Sequence, residues 1–154
     1  MGMNKSFGIF ERKYHYRILH EEKLVVEYYS GEIVLDNLIE FKKILLTDPE
    51  YNPHYNILAD LRDATFLLTE YEIKRYLDYA QTILYLFKKR KSAYLTYTPN
   101  QVVFVTFIDY YSEGFLPIEV KIFSTSNAAI SWLKHSIFNY DVLENELIDL
   151  KNTN

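Results

Sequence analysis

The first predicted elements are two short strands. Residues 12–19 (RKYHYRIL) alternate between polar and apolar or aromatic residues, and residues 24–29 (LVVEYY) are mostly apolar and aromatic. The polar link at residues 20–23 is too short for a parallel crossover, so the two strands should form an antiparallel hairpin. Ser30 and Gly31 are expected to end the second strand.

Three later stretches carry apolar residues at the three- and four-residue spacing of amphipathic helices. The first begins near Asp36 and ends at Pro49, because proline cannot continue a helix. The second begins at a capping box, residues 69–72 (TEYE), and the third begins at residues 125–127 (TSN). The predicted apolar stripes are Leu38, Phe41 and Leu45; Ile73, Leu77, Ala80, Leu84 and Phe87; and Ala129, Ile130, Leu133 and Ile137.

A short amphipathic helix is predicted in the tail of the chain. Asp141 and Glu144 form a second capping box at its start. Its apolar side carries Leu143, Leu147 and Leu150. These leucines either fold back on the domain or dock on a partner, and the sequence leaves both alternatives open.

Three more apolar runs, residues 56–61, 93–98 and 119–123, predict strands. The stretch 100–112 (NQVVFVTFIDYYS) fits two structures. Its β-branched and aromatic content favours a strand, whereas Pro99 and the need for a crossover between parallel strands favour a helix. We predict a helix, because the neighbouring strands and helices alternate.

The alternation of elements predicts the fold class. Two strands are followed by three helix–strand units, a further helix and the tail helix, and such a rhythm is typical of parallel strands with right-handed crossovers. The predicted fold is α/β, with a single mixed, mostly parallel five-stranded sheet, crossover helices and an antiparallel N-terminal edge hairpin.

Composition narrows the function classes. The 154 residues are 49% hydrophobic, enough for the core of one domain. The absence of cysteine excludes disulfides and thiolate chemistry, and fits a cytoplasmic location. A net charge of -4 argues against a nucleic-acid partner. The sequence contains neither a signal-peptide core near its start nor an apolar run long enough for an integral membrane segment.

Several local strings, in this order, resemble the STAS superfamily, the fold of anti-sigma-factor antagonists. The strings are residues 29–33 (YSGEI), 48–53 (DPEYNP), 58–64 (LADLRDA), 122–125 (IFST) and 128–133 (AAISWL). They are most similar to the SpoIIAA-like branch of small bacterial proteins, which is related in fold to lipid-binding CRAL-TRIO/SEC14 domains.

The resemblance implies a division of the chain and a class of function. It predicts an N-terminal arm at residues 1–10, a STAS-like domain at 11–137 and a C-terminal tail at 138–154. It also implies a non-enzymatic regulatory or protein-interaction module, with a protein partner or a homodimer. The relatives carry a phosphorylatable serine in a D-S-[ST]-G-like turn, but residues 63–69 (DATFLLT) contain neither serine nor glycine.

A phosphorylation switch is therefore not expected. Thr65 or Thr69 would be the acceptor if one existed, and Thr69 already serves as a helix cap. The histidines show no metal-ligand spacing, and the chain lacks a phosphate-binding glycine loop, so neither a metal nor a cofactor is predicted. The basic run at residues 88–91 is interpreted as a solvated helix end.

The first candidate site is a polar lip near the carboxyl end of the central strand, where open α/β sheets bind ligands. It contains Asp60, Arg62, Asp63 and Thr65. The alternative is local: Arg62 pairs with a nearby carboxylate, and the aspartates accept backbone N–H groups. Without a placed nucleophile, metal or cofactor these residues define no reaction class, so an enzyme, and a hydrolase in particular, is the least favoured hypothesis.

The second candidate site is the aromatic helix at residues 100–112. Phe104, Phe107 and Tyr111 belong to apolar positions that cover most of its circumference. They either pack in the core, or line a pocket or meet another chain. Together with the SEC14-like kinship, this predicts an alternative function as carrier or sensor of a small apolar, lipid-like ligand.

Overall fold

A computed structural model describes residues 13–133 and 140–153. The predicted N-terminal arm, His135 and Ile137 lie outside the described residues. The strands are β1 (Tyr14–Leu19), β2 (Leu24–Ile33), β3 (Asn56–Phe66), β4 (Arg90–Leu95) and β5 (Ile118–Phe123). The helices are α1 (Leu35–Leu46), α2 (Glu70–Thr82), α3 (Pro99–Ser112), α4 (Ser126–Leu133) and α5 (Tyr140–Lys151), and a 3-10 turn (Leu84–Leu86) follows α2.

The five strands lie side by side in chain order. β1 pairs with β2 antiparallel, and every other neighbouring pair is parallel. This confirms the predicted α/β fold with its antiparallel edge hairpin, and α3 confirms the helix at residues 100–112. Each crossover places the next strand beside the previous one, always towards the same edge of the sheet. Doubly wound sheets bind ligands at the point where the strand order reverses. These five strands have no such point.

The sheet has a hydrophobic core on each face. The first core lies between the sheet and helices α1, α2 and α3, and the second lies between the sheet and helices α4 and α5. Leu143, Leu147 and Leu150 are at most 2% exposed, so α5 folds back on its own sheet rather than presenting its leucines outward. These three buried leucines make α5 part of the helix layer that covers this face of the sheet.

Several predicted boundaries are wrong. β2 continues through Ser30 and Gly31 to Ile33, since glycine tolerates the left-handed φ of 76° at position 31. β3 runs to Phe66 and not to residue 61. Arg90 begins β4 and is buried, so it does not belong to a solvated helix end.

Two predicted helix starts or ends also differ from the structure. Helix α2 ends at Thr82, so Phe87 lies beyond it, although it is still buried. Asp141 lies within the first turn of α5 rather than at its cap, and Glu144 accepts hydrogen bonds from the Ser126 and Tyr140 hydroxyls. The capping box at residues 69–72 is present, since Thr69 and Glu72 accept each other's backbone N–H.

Candidate ligand-binding site

The predicted polar lip lies inside β3. Tyr28 of β2 pairs with Asp60 and Ser30 pairs with Asp63, so two residues of β3 oppose one residue of β2. This bulge resets the side-chain alternation, because Leu61 and Ala64 both contribute to the first core although two residues separate them. Residues 60–63 are therefore fixed by strand pairing and do not form a loop.

Asp60 and Arg62 form a closed ion pair. The Arg62 Nε and Nη2 atoms donate to the two carboxylate oxygens of Asp60, each at 2.9 Å, and the Arg62 backbone N–H donates to Oδ1 at 3.0 Å. Arg62 Nη1 donates to the Tyr97 hydroxyl at 3.3 Å. The carboxylate raises the pKa of Arg62. These contacts match the local alternative derived from the sequence.

Asp63 and Thr65 have different environments. The Tyr28 hydroxyl donates to Asp63 at 2.6 Å, and Lys151 Nζ of helix α5 lies 3.4 Å from the same carboxylate. Thr65 is exposed and pairs in register with Glu32. Asp63 therefore connects the central strands to the last helix, and the ligand-binding role of these residues stays a prediction.

Two amide side chains at the start of α3 form hydrogen bonds with the part of β3 that extends past its pairing with β4. Gln101, only 1% exposed, donates to the carbonyls of Arg62 and Ala64 at 3.2 and 2.8 Å, and accepts from the backbone N–H groups of Tyr97 and Thr98. Asn100 exchanges two hydrogen bonds with the Phe66 backbone. These amides replace the missing neighbouring strand, a role that sequence reasoning missed.

The aromatic residues of α3 divide between the core and its edge. Phe104 stacks on Phe66, with ring centroids 3.9 Å apart and planes 4° from parallel. Phe107 and Tyr111 are half-buried, and Lys74 Nζ lies 4.6 Å from the Tyr111 ring centroid. Since Asp63 contacts helix α5 and Phe104 lies in the first core, the structure does not bring the seven predicted site residues into one site.

A second group of charged residues surrounds a small cavity inside the first core. Glu27 from β2 and Arg90 from β4 are 3% and 4% exposed, and Lys42 from α1 is partly buried. Tyr76 and Tyr94 also line this cavity of about 60 Å³, which we call the chamber. A volume of that size has room for roughly two to five water molecules, or for the head of a small ligand.

The chamber is rich in hydrogen-bond donors at neutral pH. The Tyr29 hydroxyl donates to Glu27 at 2.6 Å, and burial followed by the Glu27 charge raises the pKa of Tyr29. Burial is also the main cause that raises the pKa of Tyr76 and of Tyr94, so these phenols stay protonated. Desolvation of the Lys42 ammonium lowers its pKa to about 8, against the opposing attraction of Glu27.

Arg90 has one donor without an acceptor. Its Nη1 atom donates to the Tyr51 hydroxyl, and its guanidinium carbon lies 5.8 Å from the centroid of the Tyr51 ring. Its Nε atom is buried and has no acceptor among the described residues. An unpaired buried donor costs about 1–3 kcal/mol, so such atoms are rare and each one needs a physical explanation.

A larger open groove adjoins the chamber. The groove has a volume of about 870 Å³ and lies at the amino ends of β4 and β5, opposite the end of β4 where Asp60 pairs with Leu95. Arg90, Leu116 and Ile118 line both the groove and the chamber. These three side chains therefore form the wall between the two spaces.

Sequence reasoning missed the chamber because its residues come from separate elements. Glu27 is far from Arg90 along the chain, and β3 separates their strands in the sheet. One signal was present: Glu27 occupies the inward position between Val25 and Tyr29 on a strand whose other face is also apolar. A charged residue at a doubly covered strand position needs a buried partner or a function.

Two other kinds of feature are absent from the described part of the chain. Within residues 13–133 and 140–153, there is no group of three or more histidine, aspartate or glutamate side chains that could hold a metal ion. No helix in this part of the chain combines the length and hydropathy needed to cross a bilayer.

Comparisons with known proteins identify the fold and nothing finer. The sequence matches no family profile, and it matches no curated protein. The structure is similar to that of an uncharacterised protein of the DUF3478 family with a SpoIIAA-like fold from Shewanella loihica PV-4. The TM-score is 0.54 at 16% sequence identity, over 79% of this chain and 94% of that chain. The fold of this chain is therefore SpoIIAA-like, as its sequence strings predicted.

Proposed function

We propose that this protein is a non-enzymatic binding module for a small ligand, which occupies the chamber with one end and the adjoining groove with the other. The observation that carries the proposal is Arg90, a buried cation with an unpaired donor in the wall between two cavities. A purely structural arginine would have its donors paired, as those of Arg62 are with Asp60 and Tyr97.

The sizes of the two spaces support a ligand that extends through both. The chamber alone is too small for an ordinary ligand, whereas binding pockets usually have volumes of about 300–1,000 Å³. The groove reaches that range. Apolar side chains of Leu116, Pro117, Ile118 and Val120 provide hydrophobic contact there, and the few polar groups of the chamber would fix the orientation.

A protein partner is the second candidate, because the far end of the sheet carries exposed apolar residues. Leu67 and Val103 are 47% and 50% exposed. Val103 and Phe107 line a shallow cavity of about 230 Å³ between α2 and α3. Such a surface suits the regulatory module that the sequence resemblance implies, and ligand binding in the chamber would give that module an input.

Chemical-shift mapping with small fragments tests the ligand proposal. Isotope-labelled protein is titrated with phenol, benzoate and benzylamine as neutral, anionic and cationic probes. We expect at least one fragment to shift the backbone signals of Glu27, Arg90, Tyr94 and Ile118 together. Shifts confined to Val103 and Phe107, or no saturable shift with any fragment, would contradict the proposal.

A matched pair of variants locates the binding. Ala80 lines the chamber and Ala129 lies in the second core, and both are buried. Ala80→Leu should abolish the fragment shifts by filling the chamber, whereas Ala129→Leu adds the same volume elsewhere and should leave them unchanged. If either variant fails to fold, the position of the wild-type shifts decides the question.

A further inference from the structure

The ligand class follows from the charges of the chamber, and the inference rests on the proposed function. We infer that the chamber binds the carboxylate head of an amphiphilic monocarboxylate, whose apolar chain lies in the groove. Arg90 and Lys42 would hold the head, and Leu116 and Ile118 would contact the start of the chain.

Charge balance is the first argument for an anion. The chamber contains one acid, Glu27, against two bases, Lys42 and Arg90. None of the three forms an ion pair with another within the salt-bridge distance among the described residues. A carboxylate head would balance the second positive charge, and buried charges require such partners.

Hydrogen-bond balance is the second argument. The Glu27 carboxylate already accepts from Tyr29, whereas Arg90 Nε has no acceptor among the described residues. Tyr76 and Tyr94 are protonated phenols at neutral pH and supply further donors at the chamber wall. A site with surplus donors favours a ligand group that only accepts, and an ionised carboxylate is such a group.

The shape of the two cavities selects a carboxylate that has a chain. The chamber has room for a group of a few atoms, and the guanidinium at its wall matches a planar carboxylate. Beyond Arg90, the groove combines an apolar part with charged residues of both signs. The apolar part is Leu116, Pro117, Ile118, Val120 and Leu133, and the charged residues are Lys89, Lys91, Asp109, Glu113 and Glu119. An apolar chain gains free energy by leaving water along the apolar part.

Octanoate and 1-octanol are the matched probes, because they differ in the head and share the chain length. Isothermal titration calorimetry at pH 7 should give at least about tenfold tighter binding of octanoate, since a charge-assisted hydrogen bond is worth about 1.5–3 kcal/mol. Arg90→Met should weaken octanoate binding by about tenfold or more and should leave 1-octanol binding within about twofold.

Lys88→Met is the control for general electrostatic attraction. Lys88 is exposed and lines neither the groove nor the chamber, so this variant removes an equal charge near Arg90 without altering either space. It should change octanoate affinity by less than about twofold, because exposed charges interact weakly. Lys42→Met provides an independent test within the chamber, and it should also weaken octanoate binding selectively.

The outcomes separate the inference from the proposed function. Equal affinity for octanoate and 1-octanol, with chamber signals that shift in both titrations, would overturn the carboxylate inference and leave the binding module intact. If neither the fragments nor octanoate nor 1-octanol shifts the chamber signals, the carboxylate inference and the proposed binding module are both wrong. If Arg90→Met does not fold, the preference of the wild type for octanoate and its loss in Lys42→Met decide the inference.

Discussion

Two regions of this domain combine a buried acid with an arginine, and they do so in opposite ways. Asp60 and Arg62 lie two residues apart on β3 and bind each other with both carboxylate oxygens. Glu27 and Arg90 lie on β2 and β4, and each hydrogen-bonds a tyrosine instead of the other. The first arrangement is complete within the chain, whereas the second leaves a donor unpaired beside a cavity.

The comparison distinguishes charged pairs that stabilise the fold from buried charges that a ligand can bind. A closed bidentate pair satisfies its own desolvated groups and has little left to offer a third molecule. Separated buried charges retain part of the desolvation penalty in the free protein, and a ligand of the right charge can relieve it. Asp60 and Arg62 were predicted as a site because they are close in the sequence. Glu27 and Arg90, which are far apart in the sequence, are the stronger candidate site.

Breaking the closed pair should have the largest effect on stability. Asp60→Val leaves the Arg62 guanidinium without its carboxylate, and we expect a loss of about 2–4 kcal/mol in the free energy of unfolding. The double variant with Arg62→Val should lose less than Asp60→Val alone, because two apolar β-formers leave no unpaired charge. Urea unfolding measures both, and a double variant less stable than the single one would contradict a self-contained pair.

Removing the amide that supports this region should have a somewhat smaller effect. Gln101→Leu leaves the carbonyls of Arg62 and Ala64 and the N–H groups of Tyr97 and Thr98 without their partner, for an expected loss of about 2–3 kcal/mol. Gln101→Glu keeps the acceptor but turns a carboxylate oxygen towards the carbonyls of Arg62 and Ala64, so it should not restore the lost stability. If Gln101→Leu unfolds at the wild-type urea concentration, the buried amide does not support β3.

Lys42 in the chamber should make the free energy of unfolding depend on pH. The pKa of Lys42 falls from 10.5 to about 8 on folding, so between pH 8 and 10 the unfolded chain binds more protons and stability should rise with pH. We expect a rise on the order of 1 kcal/mol. Above pH 10 stability should fall, because burial raises the pKa of Tyr29, Tyr76 and Tyr94 in the folded state.

Lys42→Met is the control for this profile. It removes the titrating amine, so unfolding midpoints measured at intervals from pH 7 to 10 should become flat, and the decline above pH 10 should remain. A rise that persists in Lys42→Met would assign the effect to another group. A flat wild-type profile would show that Lys42 is well hydrated in the folded protein.

The smallest effect is expected at Thr65, which belongs to the predicted lip, and at Thr69, which follows it. Thr69→Ala removes one half of the capping box and should cost about 1 kcal/mol in urea unfolding. Thr65→Ala is the matched comparison, and it should change stability by less than about 0.5 kcal/mol because Thr65 is exposed. Equal costs at both positions would argue against the cap as the role of Thr69.

The sequence predicted the elements well because local rules determine them. Pro99 and the strand–helix rhythm were sufficient to identify helix α3 despite its β-branched residues. The end of β3 was misplaced because charged residues usually end a buried strand, whereas pairing with β2 and the side chains of Asn100 and Gln101 extend it to Phe66. That extension depends on contacts between distant segments, which local patterns do not encode.

The candidate site was less predictable for the same reason. The interaction between Asp60 and Arg62 can be predicted because the two residues are close in the sequence. The relation of Glu27 to Lys42 and Arg90 appears only after α1 and β4 have packed around β2. No spacing rule connects residues on three separate elements, so buried charge at an inward strand position was the only local sign.

The last helix has a consequence for how the chain acquires its structure during synthesis. Leu143, Leu147 and Leu150 of α5 cover Leu24 and Val26 of β2, which the ribosome produces more than a hundred residues earlier. A nascent chain can cover the first face as α1, α2 and α3 emerge, but the second face must wait for α4 and α5. The exposed β2 surface would make the unfinished chain a substrate for chaperones that bind apolar segments.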